Sequence, residues 1–342
     1  MIFIRKPLRH LSRQALVVGT VLALGLTGCS TASEQEVSTS EDVAVGGKLF
    51  NTADSATAAL GSDAEPGAFP RTVVHSRGET TIEERPERVV VLDSGEIDQV
   101  LSLGITPVGI ASPKDASSQP SYLEDQLADA ELVGTTNELN LEAIAALEPD
   151  LILGSKLRVD ESYDQLSQIA PTVLSIRPGY PWKENFLLTA EALGLENEAV
   201  TVLNDYQTRV DEVSASIDGE PEISLLRFMP GRTRLYGNLS FIGVILQDLG
   251  LPRPEIQNID DLAVEISPEN IADADGDWIF YSTYGKPEGT EQNNVLSNEL
   301  WKKLSAVQEG HALEVNDETW FMGLGPLGAN EVLDDIERIL GS

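Results

Sequence analysis

Cysteine occurs once in the 342 residues, as Cys29. One thiol forms no intramolecular disulfide and builds no cysteine metal site. Histidine is nearly as scarce. Of His10, His75 and His311, the first lies in a basic leader, and the other two cannot supply a histidine-rich transition-metal centre. Positive charge is also thin: Lys and Arg number 23 against 56 Asp and Glu, for a net charge of −33. Such a chain repels polyanions, which argues against nucleic acid as a partner. No GxSxG, HExxH or GxxxxGK(S/T) run occurs, so the commonest hydrolase, metalloprotease and nucleotide-binding signatures are missing. With 41% hydrophobic and 23% charged residues, the chain can still build a sizeable core. Its length suggests about two domains.

The N-terminus carries the sharpest local signal. Arg5, Lys6, Arg9 and Arg13 precede an uncharged, mostly apolar run over residues 15–27. That run is too short to span a bilayer and fits the apolar region of a signal peptide. It ends in Leu26-Thr27-Gly28-Cys29, which resembles the lipobox of bacterial lipoproteins, where the cysteine is lipidated and becomes the first residue. Residues 1–28 are thus expected to be a lipoprotein signal peptide and Cys29 the lipidation site. Cleavage leaves 19 basic residues against 56 acidic ones, a net charge of −37. Two or more acyl chains anchor firmly, and no other apolar run approaches spanning length. The expected location is extracytoplasmic, lipid-anchored at the cell membrane, in a periplasm or on the outer face of the cytoplasmic membrane. Residues 29–70, rich in Ser, Thr, Ala, Gly and acids, read as a flexible tether.

Beyond it, short apolar runs alternate with helical patterns. RVVVLD (88–93), ITPVGIA (105–111), LILGS (151–155) and TVLSI (172–176) read as buried strands, with helices between them. The alternation restarts after residue 222 with ISLLRF (223–228), DWIFYS (277–282) and HALEV (311–315). Helices are expected over 241–250, 267–275, 294–304 and 329–340. Between the two series the pattern is helical throughout. Residues 182–194 form one helix, and 196–217 form a longer one with an apolar stripe every three to four residues. The expected organisation is an α/β lobe over 71–195, a bridging helix over 196–217 and a second α/β lobe over 218–342.

RPERVVVLDSGEIDQVLSLGITPVGIA, LNLEAIAALEPDLILGS and WKENFLLTAEALGLENEA resemble the ferric-siderophore and cobalamin group of ABC-transporter substrate-binding proteins. So do LYGNLSFIGVILQDLGLPRP, EISPENIADADGDWIFYS and LWKKLSAVQEGHALEV in the second lobe. The likeness covers about residues 71–340. It implies a class III periplasmic-binding-protein fold, with two α/β lobes joined by one long rigid helix and ligand in the cleft. It further implies a monomeric receptor, not an enzyme, that hands a ferric siderophore to an ABC permease dimer with its cytoplasmic ATPase. Cobalamin or haem is the alternative ligand; an extracytoplasmic enzyme or a surface adhesive module is the alternative from another class.

A siderophore already satisfies ferric iron with six oxygens, so no cofactor and no direct metal ligand is expected from the protein. The cleft needs cations for the chelate's oxygens and flat apolar walls for its body. In α/β lobes ligands meet the carboxyl ends of strands. Arg227 closes one strand, and Arg232, Arg234 and Tyr236 lie in the turn after it. Lys156 and Arg158 follow another, and Tyr180 and Trp182 a third. Tyr284 and Trp320 follow two more. These ten are the candidate ligand-binding residues. The competing readings are a structural salt bridge for Arg227, a solvated turn for Arg232 and Arg234, pairing with Asp160 or Glu161 for Arg158, and a packing anchor for Trp182. Trp278 and Trp301 are assigned to the core. Glu142 and Glu269 each sit near a helix N-terminus, where acids complement the dipole. The resemblance gives this matched pair, one per lobe, to docking on permease arginines. The Gly323–Gly328 run spells GxGxxG but lacks the following βαβ unit of a dinucleotide site.

Overall fold

The computed structural model describes residues 56–113 and 121–342. The leader, most of the tether and Cys29 lie outside the described residues. The chain opens with an antiparallel ribbon of β1 (Arg71–His75) and β2 (Gly78–Ile82). The first sheet then takes β3 (Val89–Val91), β4 (Gly109–Ser112), β5 (Glu131–Thr135), β6 (Glu138–Leu139), β7 (Leu151–Ser155) and β8 (Thr172–Ser175), in the order β6-β5-β4-β3-β7-β8. All its pairings are parallel except β5 with β6. β3, β4, β7 and β8 are buried at every position, which is why they read as unbroken small or apolar runs rather than as alternation.

The second sheet contains β9 (Ile223–Met229), β10 (Arg232–Tyr236), β11 (Ala263–Ile266), β12 (Trp278–Thr283) and β13 (Ala312–Glu314), in the order β11-β10-β9-β12-β13. Only β9, β12 and β13 are parallel; β10 and β11 add an antiparallel edge. This corrects the reading of residues 230–236 as a turn. Pro230 and Gly231 alone make the turn, with Gly231 at φ 73°, and Met229 pairs with Arg232 across a two-residue hairpin. Thr233 and Leu235 alternate inward, a period of two that two arginines conceal.

Helix Trp182–Leu193 ends at Gly194, which adopts φ 66° and leaves no room for a Cβ, since one would meet the Phe69 ring at 2.6 Å. Helix Glu196–Ser216 follows at once; its 21 residues make it about 32 Å long. Ala199, Leu203, Tyr206, Val210 and Val213 form its buried stripe. They share one core with Trp182 and Phe186 and with Ile223, Val244, Ile245 and Ile336 of the second lobe. The bridge is therefore welded into the second lobe's core, which stiffens it.

Some elements are shorter than their patterns. The helix expected over 294–304 divides into Gln292–Ser297 and a 3-10 turn, Trp301–Lys303. Asn298 leaves the helix, and its side chain accepts the Leu300 N–H at 2.9 Å in place of the helical bond. Residues 57–68, assigned by composition to the tether, pack on the first lobe. Gly61 bridges Val74, Gly67 N–H donates to Glu196, and buried Arg71 pairs with Glu196 while donating to the Glu65 carbonyl.

Candidate functional site: an arginine-lined cleft between the lobes

The carboxyl ends of β7 and β8 face those of the second sheet across a cleft of about 220 Å³, open to solvent. The first lobe contributes Leu157 and Arg158 after β7 and Arg177 to Gly179 after β8. The second contributes Arg227, Arg234 and Tyr236 from β9 and β10, Phe241 from a helix start, and Trp320, Phe321 and Leu324. Among the described residues, none of the sixteen that line it is Asp, Glu, His or Cys. Four guanidinium groups thus converge in a protein of net charge −33.

Carboxylates behind the wall hold three of them. Buried Arg227 grips Asp317 in bidentate fashion, Nε to Oδ1 at 2.7 Å and Nη2 to Oδ2 at 2.5 Å, and Nη1 donates to the Tyr236 hydroxyl at 3.2 Å. Tyr284 and Phe321 flank the same guanidinium at 5.0 and 5.1 Å. Arg227 is therefore a structural ion pair and a cleft residue at once. Arg234 donates to Glu265 at 2.9 and 3.1 Å. Arg158 lies 3.8 Å from Asp93, not beside Asp160 or Glu161. Asp93 accepts from Ser155 at 2.5 Å, and neighbouring Glu96 accepts from Ser175 at 2.6 Å. Burial, then the Asp93 charge, pushes the Glu96 carboxyl up to about 8. Burial raises the Asp93 carboxyl as well, against the lowering influence of Arg158, Ser155 and the Ser94 N–H, so the two carboxyls share a buried site that disfavours charging both at once.

The remaining candidates divide. Tyr236 and Trp320 line the cleft; Trp320 is buried, and its indole N–H donates to Asp335 at 2.9 Å. Tyr284 supports Arg227 from outside the lining. Tyr180 packs half-buried against the core, with Arg177 5.1 Å from its ring. Trp182 is not a cleft residue. It is fully buried, edge-on to Tyr206 at 5.1 Å and 6.0 Å from Phe241. A large indole at the junction of two helices gains more from core packing than from a wet cleft, and it backs Phe241, which does line the site. Arg232 and Lys156 are also outside the lining; Arg232 stands one strand pleat further out, 3.7 Å from Glu265. Trp301 is buried in the second lobe, whereas half-buried Trp278 stacks on His311 at 4.0 Å. His311 lies at the amino ends of the parallel strands, away from the cleft. Glu142 and Glu269 are exposed, each in the first turn of a short helix.

A family model described as periplasmic binding protein matches residues 89–319. The chain belongs to the periplasmic binding protein family. Among its relatives is "Probable siderophore-binding lipoprotein YfiY" of Bacillus subtilis, 38% identical over 78% of this chain and 86% of that protein. The achromobactin-binding periplasmic protein of Dickeya dadantii is 30% identical over 75% of this chain and 87% of its own. The crystal structure of Staphylococcus aureus SirA complexed with staphyloferrin B superposes with a TM-score of 0.71 at 30% identity, covering 79% of this chain and 98% of that one.

In this periplasmic binding protein the lining residues that the sequence reading passed over are chiefly Arg177, Phe241 and Phe321. Arg177 obeys the rule that found the others, since it is the second residue after β8. Phe241 and Phe321 carry no such mark: each opens or ends a helix, and only the packing turns it toward the cleft. Among the described residues no helix is long and apolar enough to cross a membrane, and no cluster of His, Cys, Asp and Glu could hold a metal ion.

Proposed function

We propose that the protein captures a ferric siderophore in the interlobe cleft and delivers it to an ABC importer, without catalysing a reaction. The observation that carries this reading is the convergence of Arg158, Arg177, Arg227 and Arg234 on one cleft with no acid among the described residues of its lining. Planar guanidiniums donate in pairs to carboxylate, catecholate or hydroxamate oxygens. Those already fixed by Asp317 and Glu265 lose little freedom on binding, which favours affinity. Trp320, Phe321 and Phe241 supply flat apolar walls. The chelator holds the iron, so the protein recognises the complex by its outer oxygens and shape. Relatives named for siderophores and for iron(III) citrate support the same class of ligand.

Titrating the protein with ferric hydroxamates, catecholates and carboxylates tests this, with Trp320 as the reporter in the cleft. Saturable quenching by a ferric chelate, absent with its iron-free form, is expected. No response to any class removes the proposal. Delivery would run through Glu142 and Glu269, one exposed carboxylate per lobe, meeting basic residues of the permease. Lipidation at Cys29 would hold the receptor at the membrane. Cys29→Ser is expected to move it from the membrane pellet to the soluble fraction; a variant that still sediments after a salt wash contradicts the anchor.

A further inference from the structure

The Gly323-Leu324-Gly325-Pro326-Leu327-Gly328 run, which leads into the last helix with no βαβ unit after it, has a definite geometry. It enters helix Pro326–Leu340 of the second lobe, and the N-terminus of that helix is occupied by a side chain from the first lobe. Asp98, on helix Ser94–Ser102, is fully buried. Its Oδ1 accepts the Leu327 N–H at 2.9 Å and its Oδ2 the Gly328 N–H at 2.8 Å. The Tyr122 hydroxyl lies 2.9 Å from Oδ2 and 3.2 Å from the Gly323 carbonyl oxygen. The missing side chains make this approach possible. A Cβ on Gly325 would stand 2.4 Å from Asp98 Oδ1, and one on Gly328 would stand 2.7 Å from the Gly323 Cα. Ser121 adds a second tie between the lobes, its N–H and hydroxyl both donating to Glu318 at 2.8 Å.

The segment so held matters for the cleft. Residues 317–324 carry Asp317, which grips Arg227, and Trp320, Phe321 and Leu324, which line the wall. We propose that Asp98 is a positioning residue: by capping a helix of the opposite lobe it fixes the 317–325 wall segment, and with it the geometry presented to ligand. This rests on the cleft being the ligand site. The helix dipole and two backbone donors favour a carboxylate there, and no other described contact spans the lobes with a buried charge on a helix N-terminus.

Hydrogen–deuterium exchange on the intact protein tests the joint without ligand. Asp98→Asn keeps the shape but turns one acceptor into a donor facing an N–H. Exchange over 317–328 should rise about tenfold while β9 and β12 stay protected, because only a local opening is eased. Affinity for whichever ferric chelate the wild type binds should fall at least about fivefold. Unchanged exchange over 317–328 overturns the proposal. So does faster exchange with unchanged affinity, which would reduce Asp98 to holding its helix. If the wild type binds no ferric chelate, the proposed function fails and exchange alone decides the joint. Should Asp98→Asn not fold, Tyr122→Phe carries the test: it removes one hydroxyl, and a smaller change in the same direction is expected, wild-type behaviour counting against the joint.

Discussion

At the level of single residues, the cleft arginines differ in what else they do. Arg227 is buried and shares both carboxylate oxygens of Asp317, so Arg227→Ala breaks a buried pair and lowers both stability, by about 3 kcal/mol, and affinity. Arg177 lines the same cleft, and no ion pair is formed by it among the described residues. Arg177→Ala should therefore cost affinity alone: a charge-assisted hydrogen bond of roughly 1.5–3 kcal/mol corresponds to a ten- to hundredfold weaker Kd. Melting temperature and Kd measured on one preparation separate the two. Equal loss of stability in both variants would place Arg177 in the scaffold. Glu96 gives a pH prediction. Its folded carboxyl is raised to about 8, chiefly by burial, so the folded state binds the proton more tightly than the unfolded chain does. Its contribution is complete below about pH 4.5 and is lost as pH rises through 8, with a slope of up to about 1.4 kcal/mol per unit. Glu96→Gln, which keeps an acceptor for Ser175, should flatten the fall in melting temperature between pH 5 and 8.

Among the elements, the two consecutive helices at the lobe junction are tied down by a buried ion pair. Lys183 donates to Asp248 at 2.6 Å, and Tyr206 donates to the same oxygen at 2.7 Å, with both charges almost wholly buried. Lys183 sits on helix Trp182–Leu193, Tyr206 on the bridge and Asp248 at the end of helix Phe241–Asp248, whose first residue lines the cleft. Removing one partner strands the other, so Lys183→Ala should destabilise by about 3–5 kcal/mol in urea unfolding. Replacing both, as Lys183→Met with Asp248→Leu, should recover most of that loss. If the single variant melts like the wild type, the pair does not hold the junction.

For the whole molecule, the proposed function assigns capture to the cleft and delivery to the two exposed acids, and one double variant tests that division. The cleft is basic within an acidic protein, and Glu142 and Glu269 stand exposed on different lobes. Glu142→Arg with Glu269→Arg should abolish iron uptake in cells while leaving Kd within about twofold, since rim charges act on the encounter with a partner. Normal uptake by the double variant would leave both acids as helix-end residues only.

The strands of both parallel series were legible because burial on two faces leaves long apolar runs, as in Leu151–Ser155, and the bridge was legible because a 3.6-residue stripe is periodic. Arg227 and Arg158 were legible because a cation near the carboxyl end of a strand, inside β9 for Arg227 and after β7 for Arg158, stands out in an acidic chain. Whether such a residue faces ligand or core depends on neighbours distant in sequence. Trp182 and Trp320 follow strands alike, yet one is enclosed by Tyr206 and Phe241 and the other reaches the cleft. Strand β10 was hidden because arginines on its outward face mask the alternation. The glycines of residues 323–328 were visible as a motif, but their reason was not: they make room for Asp98, some 230 residues earlier in the chain. Sequence fixes local periodicity and chemistry; only the packing of the lobes decides which carboxylate fills a helix end and which arginine is left to meet a ligand.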